Sequence, residues 1–114
     1  MPNLAVLLGA MCLLLAGCAP RTAAQSAGSA ASTTVVDLPP SYVFRPAHIA
    51  VSAGSTVTWT NHDNFTHSVQ VDGQSDVHMM RPGESAQITF SKPGDYHYIC
   101  TLHAQNMQGS VTVT

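Results

Sequence analysis

The side chains best suited to bind a metal ion stand close together near the carboxyl terminus of the chain. Cys100 and His103 are separated by two residues, and Met107 follows four positions after His103. Another imidazole, that of His67, lies far upstream. Thiolate, imidazole and thioether groups are donors that transition metals of soft or borderline character accept. The sequence therefore offers three donors on one short segment and a fourth that the fold must bring to them.

This combination of donors is typical of one kind of copper site. Two imidazoles and a thiolate in a trigonal plane, with a weak axial thioether, form the blue-copper electron-transfer site. We therefore predict one type 1 copper ion with four ligands. They are His67, Cys100, His103 and Met107. The alternatives are a buried inert thiol beside a surface histidine, and a methionine at position 107 that only fills the core.

The first residues have the pattern of an export signal. From Leu4 to Ala16 every residue is apolar or glycine, a run shorter than the about 20 residues of a spanning helix. The run ends in Leu15-Ala16-Gly17-Cys18, which resembles the lipobox of bacterial lipoproteins, although no Lys or Arg precedes it. We predict a signal peptide over residues 1–17 and a lipid anchor at Cys18 that holds the protein at a membrane. Ordinary cleavage near Ala19 would instead leave a soluble periplasmic protein.

The remaining chain predicts a flexible tether followed by one β domain. Residues 18–36 are mostly small and polar, so they cannot bury enough apolar area to offset the entropy of ordering. Residues 37–114 alternate short β-rich runs with turns, and Trp59 shares one face of its run with Val57. About seven or eight such strands predict an all-β Greek-key sandwich with Trp59 in its core. The first of these predicted strands is Tyr42 to Phe44.

A series of short motifs runs in order through the predicted domain. The motifs are Phe44-x-Pro46, Val51-x-x-Gly54, Val57-x-Trp59-x-Asn61, His67-x-Val69, Pro82-Gly83, Gly94-x-Tyr96-x-Tyr98-x-Cys100 and Met107-x-Gly109-x-Val111. From roughly Leu38 to Thr114 the chain thereby resembles the cupredoxins, in particular the plastocyanin, amicyanin and pseudoazurin group. The resemblance implies the same four copper ligands that the donor types suggest.

Two positions depart from the pattern of that group. The spacing from His103 to Met107 is H-x3-M, whereas amicyanin-like loops have H-x2-M and plastocyanin-like loops have H-x4-M. The group often has Asn directly after the first histidine ligand, and here that position is Ser68. We expect the hydroxyl groups of Ser68 and Thr101 to form hydrogen bonds around the ligands in its place.

The function that follows from this site is single-electron transfer in the cell envelope, without catalysis. Electrons would pass through the edge of His103, framed by Leu102, Ala104 and Phe65, where redox partner proteins would dock transiently on a monomer. The alternatives are a copper-binding protein for sequestration, delivery or tolerance, and a metal-free adhesive module. Charged residues make up only 9% of the chain and the net charge is -2, so nucleic acid is not an expected partner.

Overall fold

The computed structural model describes residues 29–114, where it contains nine strands and no helix. The predicted signal peptide and the predicted anchor at Cys18 lie outside the described residues. The strands are β1 (Ala31–Ser32), β2 (Val35–Leu38), β3 (His48–Val51), β4 (Ser55–Asn61), β5 (His67–Val71), β6 (His78–Met80), β7 (Ser85–Phe90), β8 (Gly94–Ile99) and β9 (Gln108–Val113). In this part of the chain no helix is long and apolar enough to cross a membrane.

Two sheets face each other and confirm the predicted all-β sandwich. The larger sheet has six strands in the order β1-β3-β9-β8-β5-β6, and the smaller has three in the order β2-β4-β7. Most strands alternate buried and exposed residues, as in β7, because successive side chains point to opposite faces of a sheet. The apolar face of each sheet is therefore buried against the other.

The ordered domain begins earlier than the sequence pattern indicates. β1 and the first half of β2 fall inside the predicted tether of residues 18–36, so that prediction is wrong for residues 31, 32, 35 and 36. β2 pairs in parallel with β4, which places Val36 beside Trp59 and buries Val36 and Leu38 completely. An alternation of only four residues is a weak signal in sequence. It becomes a strand here because β4 offers it a free edge.

The predicted strand from Tyr42 to Phe44 is also wrong, because this segment is a turn that connects β2 to β3. The backbone of Tyr42 has a φ of 55°, which lies in the left-handed region and cannot continue a strand. Prolines at positions 39, 40 and 46 flank the turn and lack the N–H group that a ladder needs. The Asp37 and Arg45 amides each donate to the other's carbonyl at 2.8 Å, and these bonds close the base of the turn.

Aromatic side chains fill the centre of the sandwich. Trp59 is fully buried, as the sequence predicts, and lies edge to face with Tyr98 at a ring-centroid distance of 5.2 Å. Phe44 lies edge to face with the same tyrosine at 4.8 Å. Burial raises the pKa of Tyr98 far above its ordinary value, because the apolar surroundings disfavour the charged phenolate. Tyr98 therefore joins β4, β8 and the turn after β2 into one core.

The carbonyl of Ala47 is the point where this core is tied to β9. It accepts a hydrogen bond from the Tyr98 hydroxyl at 3.0 Å and another from the Ser110 amide at 2.9 Å. Gly109 lies between these groups, and a Cβ atom at this position would collide with the Ala47 oxygen and with the Tyr98 ring. The close approach of two strands and a buried ring therefore requires glycine here.

Replacing this glycine is expected to destabilise the domain. For Gly109→Ala we expect a loss of about 3 kcal/mol in the free energy of unfolding, because neither a backbone carbonyl nor a packed ring can move away cheaply. Chemical denaturation of the purified protein measures this free energy. Gly73→Ala is the matched control, since a Cβ there meets nothing and costs only about 1 kcal/mol of backbone strain. Equal losses in the two variants would contradict this account.

Candidate metal centre

The register of β5 against β8 brings His67 to the predicted donor loop. Gln70 pairs with Ile99 in this antiparallel ladder, so the start of β5 extends beyond the end of β8. Cys100 is the first residue after β8, and His67 is the first residue of β5. The two side chains therefore meet at one end of the sandwich, although they are far apart in sequence.

Three donor atoms converge at this end. The Cys100 sulfur lies 3.8 Å from Nδ1 of His67 and 3.7 Å from Nδ1 of His103, and all three atoms lie within 4.8 Å of one another. An ion bonded at about 2.0 Å to nitrogen and about 2.3 Å to sulfur, the lengths found for zinc, holds these atoms about 3.7 Å apart when the bonds diverge by about 120°. Both separations between the sulfur and a nitrogen fit an ion bound to the sulfur and to that nitrogen.

The Cys100 sulfur is surrounded by hydrogen-bond donors. It is fully buried, and it accepts the Ser68 amide at 3.4 Å while the Ser68 hydroxyl lies 3.8 Å away. The same hydroxyl accepts the Thr101 amide at 2.8 Å and lies 2.7 Å from the Thr101 hydroxyl. The residue after His67 therefore connects the two donor segments.

The imidazole of His67 is fixed from its far side by a carboxylate. Nε2 of His67 lies 2.8 Å from Oδ2 of Asp63, and both side chains are buried. An ionised carboxylate only accepts hydrogen bonds, so Nε2 carries the proton and Nδ1 keeps its lone pair for an ion. The hydrogen bond from His67 is the main reason that the pKa of Asp63 lies below its ordinary value. The pair thus sets the tautomer that metal binding requires.

A buried amide in turn holds the loop that carries Asp63. The side-chain amide of Asn61 donates to the carbonyls of Phe65 at 2.8 Å and Met80 at 2.9 Å. Its oxygen accepts the Asp63 amide at 2.8 Å. All the hydrogen-bonding groups of this buried side chain are used, so it fixes the loop between β4 and β5 against β6.

The other two predicted ligands lie on the turn from β8 to β9. The Met107 amide donates to the His103 carbonyl at 2.9 Å, and the Cys100 amide donates to the Met107 carbonyl at 3.1 Å. These bonds close the H-x3-M segment as one turn of five residues. The side chain of Met107 is fully buried, whereas that of His103 is partly exposed. The axial role of Met107 stays a prediction.

Sequence reasoning missed two side chains that contact the imidazoles. One is Asp63, and its signal in the sequence was an acid four positions upstream of a candidate histidine ligand. The other is Tyr42, whose ring lies 4.8 Å from that of His103 and 5.8 Å from that of His67. No local pattern predicts the second contact, because it joins the turn after β2 to two distant segments.

Comparisons with known proteins point to copper. Residues 31–114 match the family described as copper binding proteins, plastocyanin/azurin family. The chain is 34% identical over 84 residues to a chloroplastic plastocyanin of Tetradesmus obliquus, which covers 62% of this chain and 58% of that protein. It is 37% identical over 76 residues to amicyanin-alpha of Methylorubrum extorquens, which covers 61% of this chain and 63% of the relative. The chain thus spans less than two thirds of the length of either relative.

The fold is similar to that of a solved cupredoxin. A purple cupredoxin from Nitrosopumilus maritimus superposes with a TM-score of 0.64 at 26% sequence identity. The match covers 72% of this chain and 100% of the solved one. The sandwich and the sequence motifs therefore agree on one family.

Removing the carboxylate behind His67 is expected to weaken metal binding. For Asp63→Ala we expect the affinity for Cu(I) to fall by about 10- to 100-fold, because the imidazole loses the partner that fixes its tautomer and its orientation. Competition with a Cu(I) chelator of known affinity measures the change. Asp76→Ala is the control, since it removes an exposed carboxylate outside the site. An unchanged affinity of the Asp63→Ala variant would show that the carboxylate does not position the ligand.

Proposed function

Because the chain belongs to the plastocyanin/azurin family of copper-binding proteins, we propose that it is a blue copper protein that passes single electrons between redox partner proteins. The observation that carries this proposal is the convergence of one buried sulfur and two imidazole nitrogens within 4.8 Å of one another. Copper bound there would supply a one-electron couple between Cu(II) and Cu(I). His67, Cys100 and His103 form the candidate site for it.

The protein part of such a carrier must keep its donors in place in both oxidation states. The Ser68 amide and hydroxyl face the Cys100 sulfur, and Asp63 fixes His67. These contacts are made within the protein and not by the ion, so they hold the donors in place when an electron arrives or leaves. Preorganised donors of this kind keep the barrier to electron transfer low.

One ligand reaches the surface and gives electrons a route. His67 and Cys100 are fully buried, whereas His103 is partly exposed on the turn between β8 and β9. Leu102 and Phe65 beside it are 50% and 57% exposed. The segment from Thr101 to Gln108 contains no Asp, Glu, Lys or Arg. This uncharged face suits brief contact with redox partners at His103.

The burial of the site favours electron transfer over copper delivery. A protein that hands on its ion needs an open approach for the next ligand, whereas here only His103 is accessible. The test compares a gene deletion with the parent strain. The carrier role predicts slower respiratory electron flow, and a strain with normal electron flow but raised copper sensitivity would favour sequestration or delivery.

We further propose that the protein is exported, anchored through Cys18 and monomeric in the cell envelope. The supporting observations are the apolar run from Leu4 to Ala16 and the Leu15-Ala16-Gly17-Cys18 sequence. Mass spectrometry of the protein recovered from membranes tests the anchor. The mass of a chain that begins at a diacylated Cys18 supports it, and a chain that begins at Ala19 would refute it.

Loading the full chain with copper is expected to give a coloured protein. Addition of Cu(II) should produce intense visible absorption, because charge passes from the Cys100 thiolate to the ion, and EPR should show one copper per chain. Cys100→Ser should abolish the colour, since a hydroxyl group is a poor substitute for the thiolate. Cys18→Ser is the matched control and should keep it. A wild-type chain that stays colourless through repeated titration would refute the proposal.

The uncharged face predicts that association depends little on salt. Electron exchange between Cu(I) and Cu(II) copies of the protein, measured by NMR line broadening, should change by less than about threefold between low and high ionic strength. Leu102→Lys should slow the exchange at low salt, because it places like charges opposite each other. Val77→Lys is the control at an apolar side chain that is 43% exposed and outside this face. Equal slowing by both variants would contradict the use of this face.

A further inference from the structure

Tyr42 occupies a position between the metal centre and solvent. Its ring lies edge on to the His103 ring at 4.8 Å with an interplanar angle of 69°, and to the His67 ring at 5.8 Å and 82°. Its other contact is a stacked arrangement with Phe65 at 6.0 Å. Tyr42 is therefore packed against both imidazoles and remains 38% exposed.

The two imidazoles are held in different ways. His67 is fixed by the buried hydrogen bond from its Nε2 to Asp63. His103 uses Nδ1 toward the Cys100 sulfur, and within residues 29–114 its Nε2 has no hydrogen-bond partner. A histidine that binds a metal is normally oriented by a group at its other nitrogen. Packing against Tyr42 is the contact that can orient the ring of His103 instead.

The backbone at Tyr42 supports a positioning role. Its φ of 55° is the only positive value at a residue other than glycine among the described residues. A bulky side chain is disfavoured in this region, and such outliers persist where the surrounding structure holds them and often lie at functional sites. This conformation occurs at the one residue whose ring packs against both imidazoles among the described residues.

The segment on either side of Tyr42 is firmly attached. At its base, Asp37 and Arg45 exchange two backbone hydrogen bonds of 2.8 Å. Two residues after Tyr42, the buried ring of Phe44 packs on Tyr98 at 4.8 Å. Tyr98 lies on β8, the strand that leads to Cys100. Through Phe44 and Tyr98, the segment that carries Tyr42 is therefore packed against the same strand that leads to Cys100.

From these contacts we propose that Tyr42 is a positioning residue for the metal centre, which holds the exposed imidazole of His103 in its binding orientation by ring packing. The role that a carboxylate has for His67 is taken by an aromatic ring for His103. The aromatic ring, and not the hydroxyl group, carries this role, because the contact is between ring faces and edges. The proposal rests on copper binding at His67, Cys100 and His103.

The test compares variants that keep or remove the ring. Tyr42→Phe keeps it and should leave the Cu(I) affinity within about twofold of wild type. Tyr42→Asn removes it but tolerates the left-handed backbone, and should weaken Cu(I) binding by about tenfold and alter the EPR spectrum of the Cu(II) form. Val77→Ala is the control, because it removes an exposed apolar side chain that is not part of the site, and it should leave the EPR spectrum unchanged. Thermal unfolding of each copper-free variant shows whether it folds, and Tyr42→Leu replaces Tyr42→Asn if the latter does not.

The outcomes separate this proposal from the proposed function. A ring-free variant with wild-type affinity and a wild-type EPR spectrum would overturn the positioning role while copper binding by the wild type stands. A Tyr42→Phe variant as impaired as the ring-free one would also overturn it, because the hydroxyl group would then be the active element. Failure of the wild-type chain to bind copper would instead refute the proposed function.

Discussion

The contact between Ser68 and the Cys100-Thr101 segment is the interaction on which the site depends. It joins β5 to the turn after β8 through the Ser68 amide, which donates to the sulfur at 3.4 Å, and through the hydroxyl, which accepts the Thr101 amide at 2.8 Å. Without this connection the two donor segments would be joined only by the ladder below them. With it, the sulfur and the first imidazole are held relative to each other, so these two donors need little rearrangement to bind an ion.

The two imidazoles of the site have different surroundings. His67 is buried, and its hydrogen bond to Asp63 continues through Asn61 into the backbone of β6. His103 is partly exposed at the surface, and the ring of Tyr42 packs against its imidazole. The first arrangement suits holding an ion, and the second suits contact with another protein. A single site can meet both demands because its two imidazoles come from different segments.

The core makes this division possible by its rigidity. Tyr98 packs on Trp59 and Phe44, and its hydroxyl group is tied to the carbonyl of Ala47. The same tyrosine stands two residues before Cys100 and requires Gly109 opposite it. Close packing of this kind transmits small displacements instead of absorbing them. The positions of the donors at this end of the sandwich therefore depend on the packing of the aromatic core next to them.

The sequence by itself determined the features that depend on local spacing. Cys100, His103 and Met107 lie on one short segment because of their spacing, and the period-two alternation around Trp59 predicts that residue in the core of an all-β fold. Only the tertiary structure decided the features that depend on register between distant strands. It turned Tyr42 toward both rings and made a strand of Val35–Leu38. These contacts join segments that are far apart in the chain. No periodic pattern in the sequence relates such segments to each other, so the sequence alone does not predict the contacts.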